Sequence, residues 1–249
     1  NDGKNNLHSG PDVYQKRMWR VVENGDDHVT FLLHSPDGDQ GYPGALDMKV
    51  TYTLDEENGL TIHYEAVPDQ DTVINMTNHS YFNLNGHKSG SVLHHRMQLL
   101  SDAFTPADAQ SIPTGEVCSV DGTPMDFRST KELGAEIDAA YEPLILGNGY
   151  DHNWVLKNEG RFDKVAEVTG DESGIVMEVW TDRPGVQVYT ANFLENEAGR
   201  NGAVYQKRDA VCLETQNYPD AVHQKNFPEA ICKKGETYDT KTAYRFHIE

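Results

Sequence analysis

With 249 residues, 37% hydrophobic and 24% charged, the chain is long enough to bury a sizeable core and reads as one all-β-sized domain over 1–249. Its 40 Asp and Glu against 21 Lys and Arg leave a formal charge of −19, which argues against nucleic acid or an anionic membrane as a partner. Cys118, Cys212 and Cys232 lack a CxxC spacing and point to a reduced interior rather than a disulfide framework or a zinc site; no apolar run reaches the roughly 18 residues of a membrane span.

The chain opens on Asn1-Asp2-Gly3-Lys4-Asn5-Asn6 without a signal-peptide pattern, so the expected location is cytoplasmic, or periplasmic or secreted if a signal peptide was removed upstream. Residues 1–20 read as a polar, turn-rich entry into a strand. Val29, Phe31 and Leu33 alternate along a strand closed by Pro36-Asp37-Gly38. Leu46, Met48, Val50, Tyr52 and Leu54 then put every second side chain on one face, Asp55 to Gly59 turn in solvent, and Leu60, Ile62, Tyr64 and Ala66 repeat the alternation on the way back. A β-like run from Val73 to Thr77 delivers Asn78-His79-Ser80-Tyr81, and the adjacent His94-His95 read as surface.

Arg96 to Leu100 continues the β pattern before Pro106, Pro113, Gly115, Gly122 and Pro124 break the chain into turns. Ser129 to Glu142 is the helix expectation: Leu133, Ile137, Ala140 and Tyr141 recur at helical spacing, and Ser129 with Glu132 forms a capping box. Strands resume at Val165–Thr169, Ile175–Trp180, Val186–Ala191, Val211–Glu214 and Tyr244–Ile248. Many short strands with one helix predict an all-β sandwich or barrel.

Polar clusters interrupt this pattern at Asn6–Gly10, Asn78–Tyr81, Gly149–Asn153 and Glu214–Asn217, and Gln187 lies on the strand face opposite Val186 and Val188. An ionised carboxylate is costly to bury unpaired, so Glu214, pointing away from Val211 and Leu213, is expected to face solvent or a polar cleft. One histidine and one carboxylate among amide and hydroxyl groups suit proton transfer on a polyhydroxylated ligand; there is no P-loop, dinucleotide fingerprint, nucleophile elbow or HExxH. Sugar binding without chemistry stays open, as does a metal held by His79, His152 and Glu214 should they converge.

The runs Asn78-His79-Ser80-Tyr81-Phe82-Asn83-Leu84, Ile112-Pro113-Thr114-Gly115-Glu116-Val117, Tyr150-Asp151-His152-Asn153, Pro184-Gly185-Val186-Gln187-Val188-Tyr189-Thr190 and Cys212-Leu213-Glu214-Thr215-Gln216-Asn217-Tyr218-Pro219-Asp220-Ala221 resemble aldose 1-epimerase, the galactose mutarotase family. The ending from Phe227-Pro228 through Gly235-Glu236-Thr237-Tyr238 to Tyr244-Arg245-Phe246 is similar too, so the resemblance covers essentially the whole chain in order. It implies a large antiparallel β-sandwich, the galactose mutarotase-like supersandwich, with an open cleft. It also implies a cofactor-free isomerase that interconverts the α and β anomers of a free aldose such as galactose or glucose.

Carried over by position, Glu214 is the general base on the anomeric hydroxyl and His79 the general acid on the ring oxygen, with His8, Asp151 and Gln187 holding the sugar's hydroxyls. That pairing asks His79 to be cationic while Glu214 is ionised, so a cleft rich in carboxylates is expected to hold the proton on the imidazole. Family members begin well before the position of Asn1, with several strands and an arginine near the substrate's ring oxygen that Arg17 and Arg20 do not match. The resemblance therefore implies an N-terminally incomplete sandwich, weakly active or poorly folded alone unless a second chain supplies the missing strands. A hexose-phosphate epimerase, with Arg183, Arg200 and Arg208 as phosphate candidates, and a catalytically silent sugar-binding sandwich are the alternatives.

Overall fold

A computed structural model describes all of residues 1–249. Its strands are β1 (Arg20–Asn24), β2 (His28–Ser35), β3 (Leu46–Leu54), β4 (Gly59–Pro68), β5 (Thr72–Val73), β6 (Arg96–Leu99), β7 (Ala103–Thr105), β8 (Cys118–Ser119) and β9 (Lys131–Glu132). After the helix α1 (Glu142–Leu146) follow β10 (Asp151–Val155), β11 (Asp163–Thr169), β12 (Ile175–Thr181), β13 (Gly185–Tyr189), β14 (Glu197–Ala198), β15 (Val204–Tyr205), β16 (Cys212–Gln216), β17 (Ile231–Cys232) and β18 (Tyr238–Ile248). The expected all-β sandwich is what forms. A nine-stranded sheet in the order β1-β2-β3-β4-β18-β12-β11-β6-β9 accompanies a five-stranded sheet in the order β16-β13-β10-β7-β8, and their pairings are antiparallel.

The period-two pattern of the 46–66 hairpin sets its register, Val50 opposite Tyr64 and Tyr52 opposite Ile62. Met48, Ile62, Tyr64 and Ala66 are buried while Lys49 and Glu65 point outward. One continuous apolar cluster joins Ile62, Met177 and Tyr244 of the large sheet to Phe104, Trp154, Val186 and Leu213 of the small one, which packs the sheets face to face. Each fully buried aliphatic side chain of that layer stabilises the fold by about 1.5–3 kcal/mol. Cys118, Cys212 and Cys232 are free thiols.

Four expectations need correction. No helix spans 129–142: Lys131–Glu132 pairs with Arg96–Met97, Leu133 N–H donates to His95 O at 2.9 Å and Gly134 N–H to Leu93 O at 2.7 Å, and the chain then runs through turns to residue 140. Leu133 and Ile137 are buried there through tertiary packing, and the helix starts only at Glu142, with Pro143 in its first turn. The proposed capping box does not form, because the Glu132 carboxylate meets His94 Nδ1 at 3.1 Å.

The run at 73–77 is a strand only over Thr72–Val73, paired with β17. His95 is fully buried rather than on the surface: its Nε2 accepts from Leu84 N–H at 3.0 Å and its Nδ1 lies 2.9 Å from Asp171 Oδ1. Only His94 of that pair is exposed. β10, in turn, is a strand where the sequence suggested a polar interruption.

Candidate active site

Strand register brings most of the chemistry together. Gln187 of β13 lies opposite Glu214 of β16 on one side and Asn153 of β10 on the other, and Asn153 lies opposite Thr105 of β7. Alternation therefore lines Thr105, Asn153, Gln187 and Glu214 in one row across the face turned away from the core, with Asp151, Tyr189 and Cys212 in the next row. Residues between them in sequence, His152, Trp154, Val186, Val188 and Leu213, point into the sandwich. His152 is 2% exposed, packed against Phe104 and Trp154, so it does not converge with His79 and Glu214 on a metal, and no group of three metal-binding side chains is so arranged.

The polar face is held rigidly. Gln187 Nε2 donates to Asp151 Oδ1 at 2.8 Å, while Gln187 Oε1 and Asn153 Oδ1 are buried without a hydrogen-bond partner in the protein. Gly185 makes that arrangement possible: a Cβ on it would fall 2.2 Å from Asn153 Oδ1 and 2.8 Å from the Tyr218 ring. No local sequence pattern marks Asn153; its position opposite Gln187 reveals it.

His79 reaches the same place from a segment with no ladder of its own. Asn75 and Asn217 exchange two hydrogen bonds, Nδ2 to Asn217 O at 3.1 Å and Asn217 N–H to Oδ1 at 2.8 Å. Phe82 and Val211 exchange two backbone bonds of 2.9 Å at the other end. Between these ties the Tyr238 hydroxyl holds both Met76 backbone groups, and Asn78 Oδ1 accepts from Ser80 N–H in an Asx-type turn.

His79 Nε2 ends 3.5 Å from Glu214 Oε1. Its ring stacks on Tyr81 at 4.9 Å and meets the Tyr189 and His8 rings edge-on. His8 arrives there on a tight reversal in which His8 and Ser9, with φ of 51° and 76°, are both left-handed. All five residues singled out in the sequence, His8, His79, Asp151, Gln187 and Glu214, are therefore brought into one connected cluster.

The electrostatics differ from the expectation. Burial, with the charge of Asp151 added, pushes Glu214 up to about 8, and burial raises Asp151 to about 6 although Gln187 opposes the shift. His79 is pushed down by burial and then by His8 beside it. Both shifts run against the expected imidazolium facing a carboxylate: burial strengthens the hold of Glu214 on a proton, while burial and His8 weaken that of His79.

A cleft of about 810 Å³ opens from His79 and Glu214 across Asn78, Tyr64 and His8 to Phe31, Met48 and Tyr52 on the large sheet. Arg17 lines it, but its guanidinium is engaged by Asp12 and Asp39. The phosphate candidates form no cluster. Arg208 is buried and spent on Thr190, Asn192 and Asn148, Arg183 bonds Asn217 and lies over Tyr238, and Arg200 is exposed on a turn.

A family model described as aldose 1-epimerase matches residues 1–245. Galactose mutarotase of Bos taurus is 45% identical over 251 residues, covering 100% of this chain and 71% of that protein. Aldose 1-epimerase of Escherichia coli K12 is 38% identical, covering 99% of this chain and 72% of that protein. Among solved structures, a GalM/aldose epimerase homologue from C. elegans superposes with a TM-score of 0.90 at 29% identity, covering 100% of this chain and 74% of that one. Galactose 1-epimerase from Lactobacillus acidophilus does so with a TM-score of 0.86 at 27% identity, covering 100% and 71%.

Proposed function

The chain belongs to the aldose 1-epimerase family, and from that premise we propose that it interconverts the α and β anomers of free aldoses such as galactose and glucose, with His79 and Glu214 as its proton-transfer pair. The observation that carries the residue assignment is the approach of His79 Nε2 to within 3.5 Å of a buried carboxylate raised to about 8. Opening a hemiacetal ring requires one proton removed from the anomeric hydroxyl and one delivered to the ring oxygen. Two positioned side chains suffice, each contributing roughly 10²–10⁴-fold.

The working form is the pair carrying one proton. With that proton on His79, the Glu214 carboxylate accepts the anomeric O–H proton, the bond from C1 to the ring oxygen breaks, and the imidazolium protonates that oxygen. The aldehyde rotates about C1–C2, and reclosure on its other face returns both protons. A carboxylate whose affinity for protons lies near the working pH is a stronger base than an ordinary one, which is what the burial of Glu214 provides. His8, which lines the cleft, and Asp151 and Gln187, hydrogen-bonded to each other in the rows beside Glu214, are the groups assigned to the sugar's hydroxyls. A second chain could seat on β1, whose five residues are all exposed; a sedimentation measurement showing monomer alone would remove that idea.

The test is polarimetric. His79→Asn and Glu214→Gln are each expected to lower kcat by about 10²–10⁴-fold while sugar binding persists. The parent should give a bell-shaped profile, its acid limb below the ordinary histidine value of 6.5 and its alkaline limb near 8. Full turnover in either variant, or a profile flat from acid to alkaline pH, would sink the assignment.

A further inference from the structure

The His79 segment and β16 run antiparallel, tied by Asn75–Asn217 at one end and Phe82–Val211 at the other. Between those ties the segment is one residue longer than the strand, and no backbone hydrogen bond joins residues 76–81 to 212–216. What stands between the two backbones is a hydroxyl from the opposite sheet. Tyr244 of β18 directs its O–H at Asn78 Oδ1, 3.1 Å away, and at Leu213 O, 3.0 Å away. One acceptor belongs to the residue before His79 and the other to the residue before Glu214.

Tyr244 is well suited to set a distance. It is 1% exposed, fixed in the core against Phe82 at 4.8 Å between ring centroids, and burial keeps its phenol neutral far above the usual range. Asn78 cannot turn its amide away, because its Nδ2 donates to the Tyr64 hydroxyl at 3.3 Å while its Oδ1 also accepts from Ser80 N–H. Tyr64, Asn78, Tyr244 and Leu213 thus form one continuous hydrogen-bonded line across the gap. We propose that Tyr244 is a positioning residue for the reaction, its hydroxyl serving as the spacer that holds the His79 segment off β16 and fixes the separation of His79 and Glu214. The proposal rests on the acid–base reading of that pair.

Tyr244→Phe in the full chain is expected to lower kcat by about 10²-fold with KM changed by less than about three-fold, since the sugar's hydroxyl partners stay in place. The imidazole titration of His79, followed by NMR, should move in the same variant. Tyr150→Phe is the control: it also loses a buried hydroxyl, which donates to Pro124 O at 3.0 Å, and should leave both readouts at their parental values. Should Tyr244→Phe fail to fold, Asn78→Ala cuts the line from its other end and should reproduce the loss in kcat. A folded Tyr244→Phe with parental kcat and parental His79 titration overturns the spacer. A moved titration combined with full turnover in His79→Asn and Glu214→Gln instead overturns the acid–base reading and upholds the spacer.

Discussion

Glu214 and His79 face each other across 3.5 Å, yet they are held there by different means. Glu214 sits in a ladder: β16 pairs with β13 over five residue pairs, β13 with β10, and the far face of all three is core. His79 sits on a stretch without strand structure, fastened by two asparagine bonds, two backbone bonds and three tyrosine hydroxyls. Ladder positions average over many bonds and move together with the sheet. A segment pinned at a few points moves when any one of them is lost, so stability and activity should separate between the two regions.

The largest expected effect on stability lies on the ladder side. Gly185→Ala places a Cβ 2.2 Å from Asn153 Oδ1 and against Tyr218, and the strand must shift to admit it. A loss of about 1–3 kcal/mol is expected by denaturant unfolding, typical of overpacking in a close-packed region. The folded fraction should keep the parental pH limbs, because the row from Thr105 to Glu214 shifts as a unit. Limbs that move would mean the ladder does not protect the site.

On the pinned side the balance reverses. Asn75 is itself exposed, and Asn75→Ala removes two bonds to Asn217, so the expected stability loss is roughly 0.5–1.5 kcal/mol. Turnover should nevertheless fall by about ten-fold, since sub-ångström displacement of a proton donor is felt at the barrier. Unfolding and polarimetry on one preparation decide it. A variant that loses stability but no turnover would show that the remaining ties hold His79 without Asn75.

This contrast also accounts for what could be read in the sequence. The 46–66 hairpin, the strands from Asp163 to Tyr189 and the outward placement of Gln187 and Glu214 follow from period-two alternation, which records the physics of a half-buried sheet. The convergence of His8, His79, Asp151, Gln187 and Glu214 was legible through family resemblance alone, because no local pattern encodes which distant strands become neighbours. The helix expected over 129–142 failed since Leu133 and Ile137 are buried at helical spacing by a run of turns after the two-residue strand at Lys131–Glu132, a coincidence that periodicity cannot separate from a helix. His95 and Tyr244 were illegible for a related reason. Their worth lies in paired hydrogen bonds, to Leu84 and Asp171 for His95 and to Asn78 and Leu213 for Tyr244, and nothing in the residue type announces such partners elsewhere in the chain.

The smallest expected effect tests the electrostatic link between the two regions. Asp151 titrates near 6, so it is charged when Glu214 loses its proton near 8, and its charge is one of the two causes that raise Glu214. Asp151→Asn removes that charge and keeps an acceptor for the Gln187 amide, so the alkaline limb of the pH profile should move toward acid. Burial is the larger cause and is untouched, which leaves the limb still above the ordinary carboxylate range. kcat/KM should fall as well if Asp151 holds a sugar hydroxyl, but the position of the limb does not depend on that contact. A limb that stays in place or moves toward alkali would mean that the alkaline limb does not report Glu214, and with it the contrast between a ladder-held base and a pinned acid would lose its electrostatic half.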